Sequence, residues 1–171
     1  MIIMGYPGIG KSTFARGENG LRTVDLESSN FSFNGVKIEN WVEVYCTVAQ
    51  DLSDQGLDVF VSSHGAVQDE LVRRSTCNKD KNYTKSIAAI VPSYNLKDQW
   101  IQKLKDRYDD SMLDKDFRAY ERAKEYFVYD IANIIGNDEF LTIQIRSMDY
   151  KLEDIIATLY RKYYSTDNMR F

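Results

Sequence analysis

Apolar positions follow two alternating rhythms along this chain. Met1-Ile2-Ile3-Met4 is an unbroken apolar run, the pattern of a short strand buried on both faces. Leu21 to Leu26, Leu57 to Val61, Ser86 to Val91 and Phe140 to Ile145 read as four more strands, and Pro92 is expected to stop the fourth. Between the strands the spacing changes to that of helices. Trp41, Val44, Tyr45, Val48 and Leu52 share one helix face, which Gln55-Gly56 ends. Ala66 to about Arg74 reads as a short helix, and Trp100, Ile101, Leu104 and Tyr108 mark another. Tyr120, Ala123, Phe127, Ile131 and Ile134 mark a longer helix stopped by Gly136-Asn137. Leu152, Ile155, Ile156, Leu159 and Tyr163 line a closing one. Residues 27–37 are polar and read as a loop. Strands alternating with helices predict an α/β domain whose parallel sheet is covered on both faces.

Size and composition narrow the classes. The chain has 171 residues, enough for one domain with a real core, so a single unit over residues 1–171 is expected. Net charge is −4, which argues against a global field that recruits nucleic acid but leaves room for a local basic groove. Cys46 and Cys77 lack metal-ligand spacing and read as reduced thiols. The N-terminal apolar run is too short for a signal peptide, and no run reaches the length of a membrane span. A cytoplasmic protein without a membrane partner is the expectation. His64 is the only histidine, which argues against a His-based triad or a multi-His metal site. Abundant Tyr, Asn, Asp and Lys fit the usage of an AT-rich genome, such as a bacterial or phage one.

Gly5-Tyr6-Pro7-Gly8-Ile9-Gly10-Lys11-Ser12 fits G-x-x-x-x-G-K-[ST], the phosphate-binding P-loop. A predicted strand precedes it and Ser12 to Arg16 can open a helix, which is the context the motif requires. Glycines let the backbone curl so that its N–H groups converge on phosphate oxygens, with a helix N-terminus aimed at the same place. The expected phosphate-binding set is Gly8, Ile9, Gly10, Lys11, Ser12 and Thr13. Lys11 should reach the β- and γ-phosphates, and the Ser12 hydroxyl should ligate Mg²⁺. Thr13 reads as a helix residue beside the phosphates rather than a second metal ligand.

With this loop at its head, the chain resembles the P-loop nucleoside and nucleotide kinases of the adenylate, shikimate and gluconate kinase type. It is similar in particular to small kinase-like proteins of bacteria and their phages. Further residues carry the resemblance: Val24 to Ser29 after the second strand, Val59 to His64 at the third, and Ile90-Val91-Pro92 leading into Leu96 to Arg107. The resemblance implies a three-layer fold with five parallel strands in the order 2-3-1-4-5. It also implies a small mobile helical lid, here about residues 97–125, and a helical acceptor-binding region.

Asp25 lies at the carboxyl end of the second strand, the edge where open α/β sheets bind ligands. It could accept the acceptor hydroxyl's proton or help hold Mg²⁺, as the Asp at this place does in the resembled kinases; the alternative is a cap on the next turn. Glu27 could share the metal or be a solvated carboxylate. Ser62-Ser63-His64 ends the third strand where many P-loop enzymes carry an Asp, while Asp58 sits at the strand's other end. His64 could touch the acceptor or hydrogen-bond within a turn. Lys103 and Arg107, four apart on one helix, match the lid pair that faces the transferring phosphate in the resembled family, although Lys103 lacks arginine's planar fork. Arg118 and Arg122 read as surface charges, Arg73 and Arg74 as surface charges or as contacts to an acceptor phosphate, and Phe31 and Phe33 as core residues or as an acceptor stack.

The expectation is therefore a Mg²⁺-dependent kinase. Its catalytic residues are Lys11, Asp25 and Arg107, its nucleotide-binding residues extend to Lys103, and Ser12 and Asp25 attend the metal. It would move the γ-phosphate of ATP to a small acceptor, a nucleoside or nucleotide. Two alternatives remain: a kinase of nucleic-acid 5′ ends or of a DNA base on the same fold, and an ATP- or GTP-binding regulatory protein with slow hydrolysis.

Overall fold

The initial apolar run forms the central strand β1 (Ile2–Gly5), buried at every position. Alternate side chains of a strand point to opposite faces, so both faces of the sheet are covered at its centre. The computed structural model describes residues 1–17, 22–77 and 87–167. After β1 come α1 (Lys11–Arg16), β2 (Thr23–Asp25), a 3-10 turn (Ser28–Phe31), β3 (Ser32–Phe33), β4 (Val36–Lys37) and α2 (Trp41–Asp54). Then follow β5 (Asp58–Ser62), α3 (Gly65–Cys77), β6 (Ile87–Pro92), a second 3-10 turn (Tyr94–Leu96), α4 (Lys97–Ser111), α5 (Asp114–Ile135), β7 (Leu141–Ile145) and α6 (Leu152–Asp167).

Among the described residues, β2-β5-β1-β6-β7 make one five-stranded sheet. Every pairing in it is parallel. Counted along the chain without the small β3-β4 hairpin, that order is 2-3-1-4-5, as expected. The register sets Gly5 beside Ser62, and Asp25 beside Phe60. The carboxyl ends of β1, β2 and β5 therefore gather along one edge.

Aromatic residues fasten the layers. The hydroxyl of fully buried Tyr45 on α2 donates to the Leu26 carbonyl (2.7 Å) and accepts from the Ser62 N–H (2.8 Å), which ties α2 to the ends of β2 and β5. Phe14 of α1 meets Phe60 edge-on with ring centroids 6.1 Å apart, and Tyr6 meets Phe127 of α5 at 5.7 Å. The helical hairpin α4–α5 is rooted in the core at both ends, through Trp100 and Leu104 on one arm and Ala123, Phe127, Ile131 and Ile134 on the other. Its corner, at Met112 and Leu113, is exposed. The expected lid, residues 97–125, thus springs from the core rather than forming a separate layer. No helix among the described residues is long and apolar enough to cross a membrane.

Four details depart from the sequence reading. The polar stretch 27–37 contains the 3-10 turn and a hairpin whose corner, Asn34-Gly35, has φ of 50° and 79°. Two successive positive φ values suit the two-residue loops that join right-twisted strands. Helix α3 extends to Cys77, beyond Arg74. Its second half is supported by Glu70, which binds Arg73 and Arg74, and by Thr76, whose hydroxyl returns to the Val72 carbonyl. Pro92 is the last residue of β6 instead of its stop. The Ser93 N–H points to Ile145 of β7, so the Pro92 nitrogen faces the side of β1, which has already ended at Gly5 opposite Ile90. The second strand is only three residues long, Thr23–Asp25, and Leu21 lies outside the described residues.

Candidate functional site

The turn between β1 and α1 is built by glycine at three places for two reasons. Gly8 and Gly10 have φ of +86° and +95°, a region that residues with a Cβ rarely adopt. Gly5 makes room for its neighbours: a Cβ there would lie 2.6 Å from Lys11 Cδ and 2.7 Å from Ile9 Cδ1, and both side chains would have to shift. Ile9 is buried and pins the turn from within. Gly10 is the N-cap of α1 and offers no side chain to its first N–H groups.

Outer contacts decide which way the loop faces. The indole N–H of buried Trp100 donates to the Pro7 carbonyl (2.9 Å), and the Tyr150 hydroxyl donates to the Gly8 carbonyl (3.3 Å). The two rings stack with centroids 5.9 Å apart. In a trans peptide the C=O and the following N–H point in opposite directions. With the Pro7 carbonyl drawn toward Trp100, the Gly8 N–H points the other way, while the Ile9 N–H turns back on the Tyr6 carbonyl at 3.4 Å. The Gly8 N–H thus faces away from Trp100, a donor suited to an anion.

Lys11 and Ser12 open α1 at the mouth of this turn. The Lys11 ammonium folds back on the Gly5 carbonyl at 2.9 Å. Burial pushes its pKa down to about 8; Arg107 lowers it further, while Asp25 and Glu27 pull it up. Ser12 Oγ donates to Asp25 Oδ2. Lys11, Ser12 and Asp25, singled out separately in the sequence, therefore meet, with Arg107 and Glu27 within electrostatic reach. Thr13 is exposed on α1.

Arg107 is held by the nearly buried carboxylate of Asp116 on α5, at 2.6 Å. The same carboxylate accepts from Ser111 Oγ at 2.6 Å, so one acid fixes both the arginine and the corner of the hairpin. Lys103 is placed elsewhere. Its ammonium lies 3.1 Å from the Tyr150 hydroxyl and sits over the Trp100 and Tyr150 rings at 4.6 and 4.9 Å, behind the loop's carbonyl side. Lys115 on the first turn of α5 reaches across to Glu27, 3.2 and 3.1 Å from its two oxygens. Burial raises the Glu27 pKa, but hydrogen bonds from Lys115 and Ser29 outweigh it and hold the carboxyl below its usual value.

The remaining candidates divide cleanly. Asp58 stands at the far end of β5, where it meets the Met1 ammonium at 3.4 Å and the Tyr160 hydroxyl. Arg73 and Arg74 are bound to Glu70, and Arg74 also reaches the Glu43 carbonyl and Thr47. Arg118 pairs with Asp114 in solvent, and Arg122 pairs with Asp130. Phe31 packs edge-on against Tyr45 at 5.1 Å, whereas Phe33 stands exposed on the hairpin. His64 lies edge-on to Trp41 at 6.4 Å; partial burial, then the charges of Arg122 and Lys37, push its pKa below the usual imidazole value. The buried Cys46 thiol is pushed up to about 12 by burial, which leaves it an unreactive core residue. The Cys77 side chain lies outside what is described.

Sequence reasoning missed four contributors: the indole N–H of Trp100, Tyr150, Lys115 and Asp116. Trp100, Tyr150 and Lys115 act through partners far along the chain and Asp116 across the corner of the hairpin, whereas helical spacing reveals only the face on which a residue lies. As for cofactors, the loop offers N–H donors and a lysine to phosphate. The Ser12–Asp25 pair offers hard oxygen ligands of the kind Mg²⁺ takes. Among the described residues no three acidic, histidine or cysteine side chains cluster to hold a metal by themselves. A cation here would complete its shell from phosphate and water, the usual habit of Mg²⁺. Comparison with family models, with curated proteins and with solved structures finds no match to this chain.

Proposed function

We propose that this chain is a P-loop kinase-like phosphotransferase that moves the γ-phosphate of ATP to the hydroxyl or phosphate oxygen of a small acceptor, a nucleoside or nucleotide. The observation that carries the reading is the meeting of three things at one sheet edge: a glycine-built turn, Lys11 at its mouth, and Ser12 bound to Asp25. Phosphoryl transfer needs positioning and charge neutralisation more than covalent help, and this set supplies both.

The polyphosphate tail would lie against the N–H groups of Gly8 and Gly10, and against that of Ile9 once it leaves the Tyr6 carbonyl. Lys11 exchanges the Gly5 carbonyl for the β- and γ-phosphates. Ser12 and Asp25 are the residues that would hold Mg²⁺, which when bound supplies neutralisation of the phosphate oxygens. Asp25 would also take the acceptor's proton as the acceptor oxygen bonds to the γ-phosphorus and the bond from that phosphorus to the β,γ-bridging oxygen breaks, releasing ADP. Arg107, oriented by Asp116, meets the charge that spreads over the transferring group.

The test is a screen of nucleosides, nucleotides, small alcohols and oligonucleotide 5′ ends with labelled ATP and Mg²⁺. Label transferred to one acceptor class, and lost in Lys11→Ala protein that remains folded, is the expected result. Transfer undiminished in Lys11→Ala ends the proposal. Transfer to oligonucleotides alone, weakening with salt, moves it to the nucleic-acid kinase alternative. A second reading draws on the end of β5, where Ser62, Ser63 and His64 stand in place of an acid. It makes the chain a nucleotide-binding regulator, recognised by phosphate release that no acceptor changes.

A further inference from the structure

We propose that Lys115, on the first turn of α5, is the second cation that meets the transferring phosphate, the part that the family resemblance gives to Lys103. The inference rests on the phosphotransferase reading above and names one of its catalytic residues.

Lys103 has other work. Its ammonium sits over the Trp100 and Tyr150 rings and donates to the Tyr150 hydroxyl, whose own hydrogen goes to the Gly8 carbonyl. It therefore braces the outside of the loop, on the side of the Pro7 and Gly8 carbonyls. To reach phosphate it would have to abandon the stack that shapes the loop.

Lys115 stands on the reacting side. Its partner Glu27 lies two residues beyond Asp25, which holds the Ser12 hydroxyl. The Lys115 and Glu27 side chains are 54% and 37% exposed, so water screens their attraction and the pair adds little to stability. A polyphosphate with several negative charges competes well for such a lysine. The next residue, Asp116, binds Arg107. One turn of α5 thus sets both cations: Arg107 through Asp116, and Lys115 directly. Glu27 keeps the Lys115 ammonium at the site's edge until phosphate replaces it.

The experiment compares the full chain with Lys115→Ala, Lys115→Arg and Lys103→Ala. It measures kcat and KM for ATP with the acceptor found by the screen. It also measures the melting temperature with ADP–Mg²⁺ and with ADP–Mg²⁺–aluminium fluoride, which mimics the transferring phosphoryl group. Lys115→Ala should lower kcat by about a hundredfold with little change in KM, the scale for removing one charged transition-state contact. It should also remove most of the extra melting shift that aluminium fluoride gives. Lys115→Arg should restore both, because the charge returns. Lys103→Ala should lower the melting temperature of the nucleotide-free protein and raise KM, while aluminium fluoride still adds its shift. A Lys115→Ala variant with wild-type kcat and the full extra shift overturns the inference alone, as does loss of that shift in Lys103→Ala instead. A wild-type chain that binds no nucleotide overturns the phosphotransferase reading and this inference together.

Discussion

Raising the pH should weaken nucleotide binding through Lys11. Burial holds its ammonium at a pKa of about 8, against 10.5 for the free side chain. Only the charged form attracts phosphate. The protonated fraction falls from about nine-tenths at pH 7 to about one-tenth at pH 9 for such a group. Affinity for a nucleoside triphosphate should therefore fall about tenfold over that interval, or about 1.4 kcal/mol. Phosphate beside the ammonium raises its pKa, so binding at pH 8 should take up about half a proton. Calorimetric titrations from pH 7 to 9.5, in buffers of different ionisation heats, read both quantities. The terminal phosphate, with a pKa near 6, is already ionised over this range. Constant affinity with no proton uptake at pH 8 would refute the reasoning. Stability follows the opposite slope. Between about 8 and 10.5 the unfolded chain holds more protons at this lysine than the folded one, so the nucleotide-free protein should gain stability as pH rises through that window. Below about 8 both states are protonated and the burial penalty is present in full.

Three substitutions probe the frame around the lysine. Gly10→Ala meets no described atom within 4 Å, so its effect is backbone strain at φ +95°, about 1–2 kcal/mol, seen as a lower urea midpoint with weakened nucleotide binding. Trp100→Phe leaves the Pro7 carbonyl without its donor, and urea unfolding should show a loss of about 1–3 kcal/mol together with reduced nucleotide affinity. Asp25→Asn can still accept the Ser12 hydrogen bond but loses the charge, so affinity should drop about tenfold with Mg²⁺ present and change little in its absence. Equal losses with and without Mg²⁺ would remove Asp25 from the metal's neighbourhood.

The strands were legible because unbroken apolar runs such as Ile87 to Val91 leave few other options in a chain whose helices are amphipathic. The loop was legible because its chemistry is local: three glycines, a lysine and a serine act within eight residues of sequence. The meeting of Asp25 with Ser12 is foreshadowed by position alone, since Asp25 ends its strand at the edge where open α/β sheets bind ligands. The hairpin at 32–37 was signalled by Asn34-Gly35, but Ser32 and Lys37 beside it blur the alternation that marks a strand. Lys103 and Lys115 show where spacing runs out. Both are single lysines on exposed-looking helix faces. Only the aromatic pocket from Trp100 and Tyr150, assembled from segments fifty residues apart, separates the brace from the cation beside Glu27. Asp116 reads as an ordinary first-turn acid until the hairpin folds it against Arg107.

Titration of ATP with Mg²⁺ into the folded chain at pH 7, followed by calorimetry beside the Lys11→Ala variant, tests the phosphate cradle most directly. One saturable site in the wild type, lost in a variant whose circular dichroism and melting are otherwise unchanged, is the predicted result. The absence of binding heat with every nucleoside triphosphate, on wild-type protein shown to be folded, would contradict it.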